Sequence, residues 1–114
     1  MNTINNNTKL NFNAQFKVKD PQKLVPETVV KAYTGIAENL GQNTDEIFIR
    51  ALEDNSKKST PALEFLEGNV KIDGKVVKSF GERVTSWGDR VTTMQRNFAK
   101  LFSENITPAF EKNK

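Results

Sequence analysis

The chain has 114 residues, with 17 basic and 14 acidic side chains, a formal net charge of +3, and neither cysteine nor histidine. That length suits one domain, and the missing residue types exclude disulfides, thiolate zinc sites, cysteine nucleophiles and histidine-based triads. The basic excess argues only weakly for a polyanion partner, because Lys112 and Lys114 lie in the last three residues.

A mean hydropathy of −0.61 is polar for a globule. Eight phenylalanines and regular apolar spacing nevertheless argue for a folded core over a disordered chain. No basic stretch followed by a continuous apolar run opens the chain, and nothing approaches the roughly 18 apolar residues of a spanning helix. A soluble cytoplasmic protein without membrane contact is the expectation.

Residues 1–8, which include Asn5-Asn6-Asn7, lack periodicity and are expected to form a disordered leader. A single α+β domain is expected over 9–107, with a flexible tail over 108–114. Its first element is a strand over 9–19, where Leu10, Phe12, Ala14, Phe16 and Val18 alternate with polar residues until Asp20-Pro21 ends the run. A helix over about 26–40 follows. Pro26 and Glu27 suit its first turn, Val29, Val30, Tyr33, Ile36, Ala37 and Leu40 keep helical spacing, and Gly41 suits its stop.

Residues 44–53 admit either a short helix or a strand. The β-branched and aromatic run Ile47-Phe48-Ile49 favours a strand. After a polar loop, 62–72 reads as another strand, broken near Gly68-Asn69. Asp73-Gly74 then signals a tight hairpin turn, leading either into a brief partner strand around 75–77 or straight into the next helix. The expected core takes in Phe12, Phe16, Val18, Val30, Tyr33, Ile36, Leu40, Ile47, Ile49, Leu63, Phe65, Val70 and Ile72.

The most distinctive segment is a seven-residue repeat. Phe80-Gly81-Glu82-Arg83-Val84-Thr85-Ser86 is followed at once by Trp87-Gly88-Asp89-Arg90-Val91-Thr92-Thr93. Apolar residues fall at 77, 80, 84, 87, 91, 94, 98 and 101, the alternating spacing of one helical face. This spacing predicts a long helix over 79–104 ending at Thr107-Pro108. Strand spacing fails there, because an apolar and a charged residue would share one face at Phe80 and Glu82. The expected fold is therefore α+β: a mostly antiparallel sheet of three to four strands, covered on one face by two helices, the C-terminal one long.

No nucleotide-loop, nucleophile-elbow or calcium-loop motif is present. The acidic neighbours Asp45-Glu46, Glu53-Asp54 and Glu64 with Glu67 have no metal-ligand spacing. The expectation is a non-catalytic protein–protein interaction module without cofactor or metal. Its partner is unidentified, with a second copy of the chain as the homodimer hypothesis. The expected interaction surface is Phe80, Gly81, Arg83, Val84, Trp87, Gly88, Arg90 and Val91. The alternative, less favoured here, is nucleic-acid binding by the basic flank of the same helix, at Arg83 and Arg90.

Overall fold

The computed structural model describes residues 13–53, 63–84 and 89–113. Strand β1 (Gln15–Lys19) leads through helix α1 (Glu27–Glu38) into β2 (Glu46–Glu53), followed by β3 (Leu63–Ile72) and β4 (Lys75–Arg83). The chain closes with helix α2 (Arg90–Leu101), a π-helical turn (Phe102–Ile106) and helix α3 (Thr107–Lys112). The fold is α+β. Its four strands lie in the order β1-β2-β3-β4.

The sheet is mixed. β1 runs parallel to β2, and the other two pairings are antiparallel. Parallel neighbours need a crossover connection, and α1 supplies it. Asp20 shapes the entry to that crossover: its carboxylate accepts hydrogen bonds from the backbone N–H of Leu24 (2.9 Å) and Val25 (2.7 Å). The Asp73-Gly74 turn behaves as its composition requires. Both residues have positive φ (52° and 81°), which matches the twist of the strands that they join.

One face of the sheet is covered. Ile47, Ile49, Leu66 and Val70 form a continuous core with Val29 and Ala37 of α1 and Met94, Phe98 and Leu101 of α2. Tyr33 joins the two helices: its ring lies 5.5 Å from Phe98 and 5.0 Å from Phe102, and Phe102 meets Phe16 of β1 edge-on at 5.9 Å. Core burial at about 25 cal/mol per Å² of apolar surface is the main term holding the layers together. Two side chains assigned to the core by periodicity lie outside it. Ile36 is 48% exposed, and Phe65 is 37% exposed on the opposite face of the sheet. Leu66, the neighbour of Phe65, is fully buried in its place.

The helix predicted over 79–104 is corrected in two ways. Residues 75–83 form a strand as long as its partner requires, and the helix begins at Arg90, with Asp89 as its cap. The apolar spacing that suggested a helix has another cause. Val70 pairs with Lys78 and Lys71 with Val76, so Val77 is the extra residue of a β-bulge and Phe80 comes three positions later. Glu82 occupies the inward position between Phe80 and Val84, which makes the next apolar interval four. The charge is tolerated because Lys100 of α2 reaches it at 3.5 Å. A bulge and one ion-paired acid thus imitate a heptad.

At the C-terminus, the helix runs past Thr107-Pro108. The Thr107 N–H donates to the Phe102 carbonyl, five residues back, so the π turn resets the register. Pro108 then falls in the first turn of α3, where its missing N–H costs little. Ala109 and Phe110 of this segment, expected as a flexible tail, are buried in the core. The expected leader, 1–8, and the first residues of the expected strand over 9–19 lie outside the described residues.

Candidate functional site: the open face of the sheet

Strand pairing places every second side chain of the sheet on the face away from the helices. In register across β1, β2 and β3, that face carries Gln15, Glu46 and Lys71, then Lys17, Phe48 and Asn69, then Lys19, Arg50 and Glu67. Leu52 faces Phe65, and Phe65 faces Arg83 of β4, with Gly81 and Ser79 beside Glu67 and Asn69.

Two features set this face apart. The first is charge. Among its described side chains are five cations (Lys17, Lys19, Arg50, Lys71 and Arg83) and only two acids (Glu46 and Glu67). Both acids are engaged from within the face: Lys17 meets Glu46 at 3.2 Å, and Arg50 meets Glu67 at 2.6 Å. The second is aromatic content on the side where an alternating strand normally places polar residues. Phe48 stands in the middle of β2, and the Arg83 guanidinium lies 5.0 Å from the centroid of the Phe65 ring, within cation–π range. Between these groups, Arg50 Nε and Asn69 Oδ1 are buried and find no hydrogen-bond partner among the described residues.

The predicted interaction residues do not share one surface. Arg83 and Gly81 belong to the open face. Phe80 lies on the inward side of β4, opposite Gly68, and packs against the core, while Val84 is buried within it. Arg90 opens α2 and donates through Nη1 to the Leu24 carbonyl at 3.0 Å, pinning the crossover loop to the helix. Val91 is 39% exposed on α2. Trp87 and Gly88 lie outside the described residues. Met94, Phe98 and Leu101, which continue the same apolar spacing along the predicted helical seam, are consumed by the protein's own core.

Spacing alone did not single out Lys17, Lys19, Phe48, Arg50, Phe65 and Lys71. One signal was available: Phe48 and Leu52 occupy the same parity in β2 as the charged Glu46 and Arg50. An aromatic on the wet parity of a strand marks a surface that something else can use.

A cleft of about 590 Å³ lies at the end of the sheet next to the Gln15–Glu46–Lys71 row, lined by Asn39, Gln42, Asp45, Asp73, Phe110 and Asn113 among others. Its buried acid serves the fold. Asp45 accepts from the Gln42 N–H at 2.9 Å through Oδ2 and from the Asp73 N–H at 3.0 Å through Oδ1. No group of three or more metal-ligating side chains occurs among the described residues. No described helix is long and apolar enough to cross a membrane. Compared with family models, with curated proteins and with solved structures, the chain finds no match.

Proposed function

We propose that this protein is a small non-catalytic binding module whose working surface is the open face of its sheet and whose ligand is a nucleic acid. The observation that carries this reading is the coincidence, on that one face, of five cations against two acids among its described side chains with two aromatic rings. A basic surface neutralises phosphates and releases their counterions, and aromatic rings offer stacking to bases. The same charge disfavours a second copy of the face as its occupant, since two such surfaces would repel each other. A protein partner through the helical seam loses support, because the seam's apolar residues are spent on the core.

Titration of a fluorescein-labelled oligonucleotide, followed by anisotropy over a salt series starting at ~50 mM, tests the proposal. Saturable binding whose log affinity falls linearly with log salt is expected, with a slope of about −0.7 per phosphate contacted on a single strand. Changing Lys19 and Lys71 together to Ala should flatten that slope by about one contact each. Absence of binding at the lowest salt would overturn the proposal, as would binding that the double variant leaves unchanged.

A further inference from the structure

We infer that the strand taken by this face is single, and that its bases stack on Phe48 and Phe65, each ring working with a neighbouring cation. The inference rests on the nucleic-acid reading above and goes further, to the form of the ligand and its mode of contact.

The shape of the face argues first. Four strands spaced about 4.8 Å apart make a surface roughly 14 Å wide before side chains are counted, whereas the major groove of a duplex is about 12 Å wide and admits a helix or a two-stranded ribbon. A surface of this width reaches duplex phosphates but not base edges, so its aromatic rings would have nothing to stack upon. With a single strand the bases are free to turn toward the sheet, and every base has a flat face to offer.

The arrangement of the rings argues second. Phe48 pairs with Lys17 across β1-β2, and Phe65 pairs with Arg83 across β3-β4, where the guanidinium already lies over the ring at 5.0 Å. Each aromatic therefore has a cation on the adjacent strand; Lys17, which meets Glu46 at 3.2 Å in the free protein, exchanges that carboxylate for the phosphate of the nucleotide stacked on Phe48. Register puts the rings on neighbouring strands, four residues apart along the strand direction, a separation of about 14 Å between Cα positions. A strand of a few nucleotides spans both, running diagonally over the Arg50–Glu67 ion pair. In the complex, Arg83 moves from the ring to the phosphate and the base takes its place on Phe65.

Labelled single strands of about twelve nucleotides, as DNA and as RNA, compared with their duplexes, make the test. The wild type should bind at least one single strand roughly tenfold or more tightly than the matching duplex. Phe65→Ala and Phe48→Ala should each weaken single-strand binding about tenfold, as loss of one stacked base predicts, and leave the salt slope unchanged. Phe65→Tyr should restore it. Thermal melts matching wild type will show that the variants are folded, which the outward position of Phe65 favours. If the duplex binds as well as the single strand, or if both Phe→Ala variants bind like wild type, the stacking inference fails while the nucleic-acid reading stands. If neither form binds, the nucleic-acid reading itself fails.

Discussion

A methyl group built on Gly68 would overlap the carbonyl oxygen of Phe48 on the neighbouring strand, with the Ile49 Cα close behind at 3.1 Å. These are backbone atoms of β2, so nothing flexible is there to yield. The position opposite Gly68 on β4 is held by Phe80, whose ring packs against the core. Gly81 is a different case. A Cβ there meets only the Glu67 Cβ at 3.9 Å, an ordinary contact on the open face. Gly68→Ala is therefore expected to cost about 3 kcal/mol, at the upper end of overpacking effects. Gly81→Ala should stay within about 0.5 kcal/mol of wild type, because a surface strand position gains what the unfolded chain loses in freedom. Urea denaturation of the two variants checks both values. Equal losses would mean that β2 and β3 are not paired in the register that sets Phe48 and Ile49 against Gly68. The sequence singled out the wrong glycine of the two. Gly81 attracted attention through the repeat, whereas Gly68 read as a strand break because its constraint comes from a strand some 20 residues away.

At the scale of elements, α2 begins where its cap permits. The Asp89 carboxylate accepts a hydrogen bond from the Thr92 N–H at 2.9 Å, and this bond, with further help from the Thr92 side chain, holds its pKa below the usual value for aspartate. The sign follows from that direction. A depressed folded-state pKa contributes stability that is fully present above the unfolded value near 3.8 and is lost as the pH falls through the lower folded value. Asp89→Ala should melt below wild type at neutral pH, and the gap should narrow as the pH is taken below about 4; a gap independent of pH would exclude the charged cap. Asp89 also marks the limit of what periodicity reveals. β2, β3, the Asp73-Gly74 turn and α1 were legible because each is declared by local chemistry: β-branched runs, a two-residue turn, a proline at a helix start. The β4–α2 boundary was not, because two non-local facts disguise it. The bulge at Val77 shifts the apolar phase, and Glu82 occupies an inward position that only Lys100, 18 residues on, makes tolerable. The open face was legible only in fragments. Lys17 and Lys19 declared a wet side of β1, but only register shows that Phe48, Arg50 and Phe65 lie on the same side.

For the molecule as a whole, the question is where unspent surface remains. The apolar face of α2 is spent on the core at Met94, Phe98 and Leu101, and the π turn brings Phe102, Ile106 and Phe110 in behind it. On the sheet, charge separates the two faces: one is apolar and covered, the other carries five cations against two acids among its described side chains. Two routes to self-association are therefore weak. Among the described residues of α2 a helical seam offers only Val91 as an exposed apolar side chain, and face-to-face stacking of sheets brings like charges together over a distance shorter than the roughly 10 Å screening length at ~0.1 M salt. Among the described residues β4 is an edge strand that could pair with another copy, but Lys75 and Lys78 lie along it, and lysine on an edge strand opposes such pairing. The chain is thus expected to run as a monomer near 12.9 kDa in size-exclusion chromatography with light scattering, at all protein concentrations up to about the hundred-micromolar range. A mass rising toward twice that value would return assembly to consideration. If high salt strengthened the dimer, repulsion between the basic faces would be the force that had opposed it; if salt had no effect, pairing through the β4 edge would be the contact to test next, by placing proline at Ser79.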